Sequence, residues 1–261
     1  MTNIDRINRI NRINVLGVGV SAINMEQALS EIERWISANQ PGYICVCTVH
    51  GVMDCQRSED LRRIFNSAGL VTPDGMPLVW LGRSSHHHVS RVYGPDLMLA
   101  ELGRSVSSGH RHFFYGGASG VGRRLQQKMA ARFPGLQIAG VVEPPFASLD
   151  ELATTEVASR INDSGADVVW VGIGSPKQER WMARMRPLLK APVLIGVGAA
   201  FDFHSGSVRQ APRWMQRSGL EWLYRLATEP RRLWRRYLVD NPWFLWALAL
   251  QKLGLRRYEI Q

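Results

Sequence analysis

The chain has 261 residues and a mass of 29.4 kDa, with 45% hydrophobic and 21% charged residues. That is enough for one large α/β domain or two small ones with a sizeable core, and it excludes disordered, collagen-like and low-complexity classes. The formal net charge of +10 points to an anionic partner: phosphate, nucleic acid or an acidic membrane surface. Three cysteines without framework spacing argue against a disulfide scaffold and for a reducing cytoplasm.

The N-terminal stretch MTNIDRINRINRINVLGVGV has no long apolar run behind a basic start, so no secretory signal is expected. Its RIN repeat, residues 6–14, has a period that suits neither a helix face nor a strand, and residues 1–12 are expected to be a frayed lead-in. From there the predicted elements follow in order. VLGVGV forms a buried strand and MEQALSEIERWI an amphipathic helix. YICVCT is a strand, and GLVTPDG is a short strand running into a turn. DLMLAELGRSV is a helix, HFFYGG a strand, GVGRRLQQKMAARF a helix and LQIAGVV a strand. ELATTEVASRIND is a helix, ADVVWVGIG a strand, PKQERWMARMRPLL a helix and APVLIGVG a strand. Apolar runs alternating with helical periods predict parallel strands joined by crossover helices: an α/β fold with a Rossmann-like, mostly parallel sheet.

The composition changes after about Gly206. Residues 209–261 hold eleven Lys or Arg against four Asp or Glu, a net of +7, and five of the nine tryptophans. RWMQRSGLEWLYRLA, PRRLWRRYLV and PWFLWALALQKLGL read as helices, with Pro230 and Pro242 at positions that suit helix starts. The longest apolar run, Trp243 to Leu250, is far short of the roughly 20 residues that cross a bilayer. The domain plan is therefore a 13–206 core and a basic helical appendage over 207–261. The appendage could pack on the sheet, lie on an anionic membrane surface, or do both.

In an open parallel sheet, ligands bind beyond the carboxyl ends of the strands. Four such ends carry polar or glycine-rich sequence. CVCTVHG places Thr48 and His50 just past a strand. VTPDGMP holds Asp74 in a turn, where it serves either as a local turn former or as a general base. FFYGGASGVG sets Gly117, Gly120 and Gly122 before a helix, the arrangement of a phosphate-cradling turn or of simple strand–helix packing. VGIGSPKQE sets Gly172 and Gly174 where backbone can approach a ligand, with Lys177 and Gln178 at a helix start able to bind phosphate or sugar hydroxyls.

No P-loop and no dinucleotide fingerprint is present: VLGVGVSA has Gly17 and Gly19 but Ala22 in the third place. That counts against a nucleotide-dependent oxidoreductase. Cys45, Cys47 and Cys55 lack zinc-site spacing and read as core thiols. The run His86, His87 and His88 reads as solvated loop. No DxD pair occurs, so no metal site is expected. A nucleic-acid-binding module, the main alternative for so basic a chain, lacks any recognised motif.

TPDGMPLVW at 72–80, RVYGPDLM at 91–98, VGIGSPKQERW at 171–181, GVGAAFDFHSG at 196–206 and RQAPRWMQRSGLEWLYRLATEPRRLWRRY at 209–237 together resemble the motifs of the WecG/TagA/CpsF glycosyltransferase family over residues 13 to 257. The resemblance implies a Rossmann-like core with a C-terminal appendage that completes the active site and meets the membrane. It implies inverting transfer from a UDP-sugar to a polyprenyl-diphosphate-linked saccharide on the cytoplasmic membrane face, in exopolysaccharide or other cell-surface polysaccharide biosynthesis. By motif the family's catalytic aspartate falls on Asp74 and its active-site threonine on Thr48. The polar residue two further on is His50, where asparagine is frequent. Arg91 heads the RVYG segment, and Gln178 and Asp202 match pocket residues. Arg225, Arg232 and Arg235 match arginines that approach the nucleotide diphosphate. Without a DxD pair, arginines are the natural counter-charge for a diphosphate leaving group. No cofactor beyond the donor and no nucleic-acid partner is expected, and a homo-oligomer is left open.

Overall fold

The computed structural model describes residues 10–85 and 88–260, apart from the Arg232 side chain. Most of the RIN lead-in, two residues of the histidine run and that side chain thus lie outside the described residues.

The first described element differs from expectation. VLGVGV is not one strand of the main sheet. Arg12–Val15 (β1) and Val18–Ser21 (β2) pair antiparallel as a separate hairpin. The chain reverses at Leu16 and Gly17, both with positive φ (50° and 80°), the backbone of a two-residue hairpin turn that glycine favours. Part of the repeat is therefore structured. The Arg12 guanidinium donates to the backbone carbonyls of Asn66 and Ala68, and the Asn66 side chain bonds the backbone of Gly17 and Gly19.

The main sheet has six strands: Gly42–Cys47 (β3), Leu70–Pro73 (β4), Arg111–Gly116 (β5), Gln137–Val142 (β6), Val168–Gly172 (β7) and Val193–Gly196 (β8). Their order is β4-β3-β8-β7-β5-β6, and every pairing is parallel. The predicted parallel α/β sheet is thus present. Side chains alternate between two apolar layers, as strands buried on both faces require. Cys45, Cys47, Phe113, Tyr115, Val169 and Val171 face one layer, and Ile44, Phe114, Val168, Trp170 and Ile195 face the other. The cysteines are buried free thiols, the core role their sequence suggested.

The first layer is roofed by helices Val49–Arg57, Glu59–Ser67, Lys177–Met185 and Asp240–Lys252; the second by Met25–Ser37, Gly94–Ser108, Val121–Arg132 and Ala200–Ser205. Capping side chains set several of these starts. Asn24 and Gln27 form a reciprocal capping box, and Thr48 and Ser58 cap the next two helices, each satisfying backbone N–H groups that a helix start leaves unpaired.

Other predicted helices are subdivided. ELATTEVASRIND breaks before Thr154, which caps Thr155–Asp163. RWMQRSGLEWLYRLA becomes Arg213–Arg217 and Glu221–Thr228, because Gly219 turns at φ +78° between them. Pro242 does not begin a helix. It lies within a continuous run that passes from Pro230–Trp234 through a π-helical segment, Arg235–Val239, into Asp240–Lys252. The Asp240 N–H reaches back five residues to the Arg235 carbonyl. A proline in a helix lacks an N–H and crowds the carbonyl four residues earlier, and a widened turn relieves that conflict.

The C-terminal segment is tied to the core. Phe244 and Ala247 are buried in the first layer, Gln251 bonds the backbone of Leu16 and Asn14, and the Asn14 side chain bonds the Tyr258 carbonyl. No helix among the described residues is long and apolar enough to cross a membrane.

Helix Lys177–Met185 is anchored by Trp181, which is fully buried, stacks on Tyr115 with ring centroids 4.4 Å apart, and donates from Nε1 to the Leu152 carbonyl at 2.9 Å. Trp181→Ala should therefore lower unfolding stability in urea by about 3–5 kcal/mol, the usual cost of emptying a buried tryptophan site. A loss under about 1 kcal/mol would mean that this contact does not hold the helix.

Candidate functional site

The carboxyl ends of all six parallel strands open into one cavity of about 870 Å³. Thr48 enters it after β3, Asp74 after β4, Gly117 after β5, Pro144 and Pro145 after β6, Gly172 at the end of β7, and Gly198 after β8. The last helices close the other side with Arg225, Leu233, Arg235, Arg236 and Asp240. Of the residues singled out in sequence, Thr48, His50, Asp74, Gly172, Lys177, Gln178, Asp202, Arg225 and Arg235 all line this cavity. Arg91 stands behind Asp74 as its ion-pair partner.

Asp74 is the most constrained of these groups. It follows β4, its N–H donates to the Cys47 carbonyl at 2.9 Å, and its side chain is 11% exposed. Arg91 donates to Asp74 Oδ1 from Nη2 at 2.9 Å and from Nε at 3.1 Å, and Nε also bonds the Asp74 carbonyl. The same Nη2 reaches Glu221 Oε2 at 2.7 Å, and Tyr93 donates from its hydroxyl to Glu221 Oε1 at 2.9 Å. Burial pushes the Asp74 carboxyl up. Arg91 pulls it back, Glu221 raises it again, and it rests at about 6. A carboxylate poised there is ionised at neutral pH yet far more basic than a solvated aspartate, the state a general base needs.

Thr48 uses its hydroxyl to accept from the Gly51 N–H as the helix cap, so its placement at the cavity floor is fixed by the helix it starts. His50, on the first turn of that helix, joins a charged cluster. Its Nδ1 lies 3.0 Å from Asp240 Oδ2 and its Nε2 3.2 Å from Asp54 Oδ2, while Arg57 also pairs with Asp240. Burial, then the Arg236 guanidinium, lower the His50 pKa against the opposite pull of Asp54 and Asp240. Burial raises Asp240, but hydrogen bonds from Arg57 and His50 outweigh it and hold the carboxyl below its usual range. His50 thus links the β3 end to the C-terminal helix.

Gln178 is buried and shapes the floor. Its Oε1 accepts from the Gly198 N–H at 3.0 Å and its Nε2 donates to Glu179 Oε1 at 3.0 Å. Lys177 donates to the Ala147 carbonyl at 2.7 Å and sits 4.5 Å from the Phe146 ring centroid. Gly172 has a packing reason as well as a cavity-lining one. A Cβ there would come within 2.8 Å of the Phe201 ring, and a Cβ on Gly116 within 2.5 Å of the Gly172 backbone. Asp202 and Arg225 also line the cavity, and the Arg225 guanidinium lies 6.0 Å from the Phe203 ring centroid.

The glycine turn before Val121–Arg132 is filled from within. The Glu143 carboxylate accepts from the Gly120 and Arg123 N–H groups at 2.9 and 2.8 Å. Desolvation opposes it, yet these backbone bonds bring the Glu143 pKa below its ordinary value. Phosphate would have to displace a bonded carboxylate, so the packing reading of Gly120 and Gly122 prevails, although Gly117 lines the cavity.

Four residues of the site are not singled out individually in the sequence: Arg57, Tyr93 and Asp240, and behind the wall Glu221. Tyr93 lies within RVYGPDLM and Glu221 within the quoted 209–237 segment, whereas Arg57 and Asp240 need the fold to be seen. Among the described residues no group of three or more His, Cys, Asp or Glu side chains is placed to hold a metal ion.

The glycosyl transferase WecG/TagA/CpsF family model matches residues 13–258. The chain is 32% identical over 197 residues, 75% of each chain, to the N-acetylglucosaminyldiphosphoundecaprenol N-acetyl-beta-D-mannosaminyltransferase of Bacillus subtilis strain 168. It is also 32% identical over 205 residues, 78% of this chain and 77% of the other, to the protein of the same name from Bacillus spizizenii strain W23. With a parallel sheet, a carboxylate-bearing cavity at its strand ends and a family match spanning nearly its whole length, the chain belongs to the WecG/TagA/CpsF glycosyltransferase family.

Proposed function

We propose that this glycosyltransferase moves N-acetylmannosamine from a UDP-linked donor to N-acetylglucosamine carried on undecaprenyl diphosphate, with inversion at the anomeric carbon. The names of the two Bacillus relatives support the sugar and the acceptor. The observation that carries the chemistry is Asp74, buried at the cavity wall, oriented by Arg91 and held at about pKa 6. In the transfer, the Asp74 carboxylate takes the proton of the acceptor hydroxyl. The oxygen's electron pair forms the new bond to the anomeric carbon, and the bond from that carbon to the diphosphate oxygen breaks, releasing UDP. Arg225, Arg232 and Arg235 provide the positive charge that a departing diphosphate requires. Thr48, His50, Gln178 and Asp202 line the space for the sugars, and Lys177 and Gly172 line the donor approach.

The C-terminal segment, residues 207–260, serves both site and membrane in this reading. Its last long helix buries Asp240, Phe244 and Ala247 and turns Trp243, Leu245 and Trp246 outward, each at least half exposed. Trp214, Trp234 and Leu238 are also exposed. Aromatic and aliphatic side chains on a strongly basic segment match the interfacial zone of an anionic bilayer, where a polyprenyl-linked acceptor resides. Docking there would place the protein peripherally on the inner face of the cell membrane.

Four measurements test the reading. Asp74→Asn should retain the fold and UDP binding, yet lower turnover by roughly 10²–10⁴-fold. In the wild-type protein the rate should fall as pH drops through about 6, because the raised carboxyl loses its active ionised form there. Near-normal turnover in Asp74→Asn removes it from the mechanism. Turnover should persist in excess EDTA; loss that Mg²⁺ or Mn²⁺ restores would contradict arginine compensation of the diphosphate. Trp243→Glu combined with Trp246→Glu should weaken cosedimentation with phosphatidylglycerol vesicles while leaving UDP affinity intact. Unchanged vesicle binding would separate this helix from the membrane.

A further inference from the structure

Glu221, from the C-terminal helices, reaches the arginine that holds the base. It opens helix Glu221–Thr228 and is 9% exposed. Both its oxygens are engaged by core residues: Oε2 by Arg91 Nη2 at 2.7 Å and Oε1 by the Tyr93 hydroxyl at 2.9 Å. The same Arg91 nitrogen donates to Asp74 Oδ1 at 2.9 Å. Arg91 is held further by the Gln216 carbonyl at 3.4 Å and lies 4.0 Å over the Tyr93 ring, while Gln210 donates to the Tyr93 hydroxyl at 3.0 Å. Glu221, Gln216 and Gln210 all come from the segment after residue 207, and Asp74, Arg91 and Tyr93 from the core.

We propose that Glu221 is a positioning residue for the transfer: it divides the Arg91 guanidinium between two carboxylates, so that Asp74 is fixed in orientation without being over-stabilised as an anion, and only while the C-terminal helices are docked. This rests on Asp74 being the base. The physical reason is a conflict within any arginine–base pair. A guanidinium that orients a carboxylate also stabilises its charge and weakens it as a proton acceptor. A second carboxylate on the same guanidinium offsets that stabilisation while leaving the hydrogen bonds in place. The charged and titratable groups facing Asp74 are Arg91 and Glu221, with Arg225 from the wall helix, the Cys47 thiol from β3 and the Tyr93 hydroxyl. Tyr93 and Arg91 face Glu221. Of the groups that face Asp74, Glu221 and Arg225 come from the C-terminal segment, and Glu221 alone of that pair raises the Asp74 pKa.

The test is a carboxyl ¹³C NMR titration of Asp74, assigned by the signal that Asp74→Asn removes, beside the pH profile of the transfer rate. Glu221→Gln keeps the size of the side chain and removes its charge. Its Asp74 midpoint should fall by about one pH unit, the acidic limb of kcat should move down with it, and kcat at neutral pH should drop by about threefold. Glu221→Asp keeps the charge but draws it back, so its midpoint should fall by about half as much; it is the second variant should Glu221→Gln not fold. Tyr93→Phe removes a bond without a charge and should leave the midpoint in place. An Asp74 midpoint that is unmoved or raised in the Glu221 variants overturns the proposal, as does an equal shift in Tyr93→Phe. The two readings fail separately. Turnover that survives Asp74→Asn defeats the base assignment, whereas an inactive Asp74→Asn with an unmoved midpoint in Glu221→Gln defeats the role of Glu221 alone.

Discussion

The Arg91 guanidinium sits between Asp74, at the end of a sheet strand, and Glu221, at the start of a C-terminal helix. All three are largely removed from water, so none is cheap to leave unpaired: a buried charge that loses its partner costs several kcal/mol. The arrangement therefore ties two regions of the chain together through one cation. It also explains why the cavity is closed on one side by helices remote in sequence from the sheet. The second tie lies at the neighbouring strand end, where Asp240 is shared by Arg57 and His50. Between these two ties the arginine-bearing helices face the strand ends, which is the geometry a charged leaving group requires.

The parallel sheet was legible because strands buried on both faces leave continuous apolar runs, and helices between them leave a 3.6-residue period. VLGVGV misled for the same reason. An apolar run does not show that Leu16 and Gly17 take positive φ and fold the segment into a hairpin. Between YICVCT and GLVTPDG lie two nine-residue helices that leave no clear signal in the sequence. Their polar faces are broad and their junction at Ser58 is immediate, with one serine ending the first and capping the second. In the C-terminal segment, Gly219 broke a helix that periodicity ran through, and Pro242 was absorbed by a π-helical turn.

The site was legible where chemistry sits directly after a strand. Thr48, Asp74, Gly172, Lys177 and Gln178 all occupy such places, and the fold gathers them with Asp202, Arg225 and Arg235 around one cavity. What sequence spacing could not supply was pairing. In sequence Asp74 reads as either a turn former or a general base; the fold sets Asp74 and Glu221 on either side of the one Arg91 guanidinium. His50, which departs from the frequent asparagine, has its ring bound by carboxylates 4 and 190 residues away. The glycine turn at 117–122 matched a phosphate cradle in composition, but Glu143 from β6's far end already fills it. An internal carboxylate at a helix start is invisible to any local pattern.

In the proposed reaction this cavity transfers an N-acetylhexosamine to a lipid-linked sugar with Asp74 as the base. Its most direct measurement is product analysis by NMR after the purified protein is given UDP-N-acetylmannosamine and N-acetylglucosamine on undecaprenyl diphosphate. A lipid-linked disaccharide with a β-glycosidic bond is expected, formed by the wild type and suppressed in Asp74→Asn. An α-linked product, or equal β-linked product from both proteins, would contradict it.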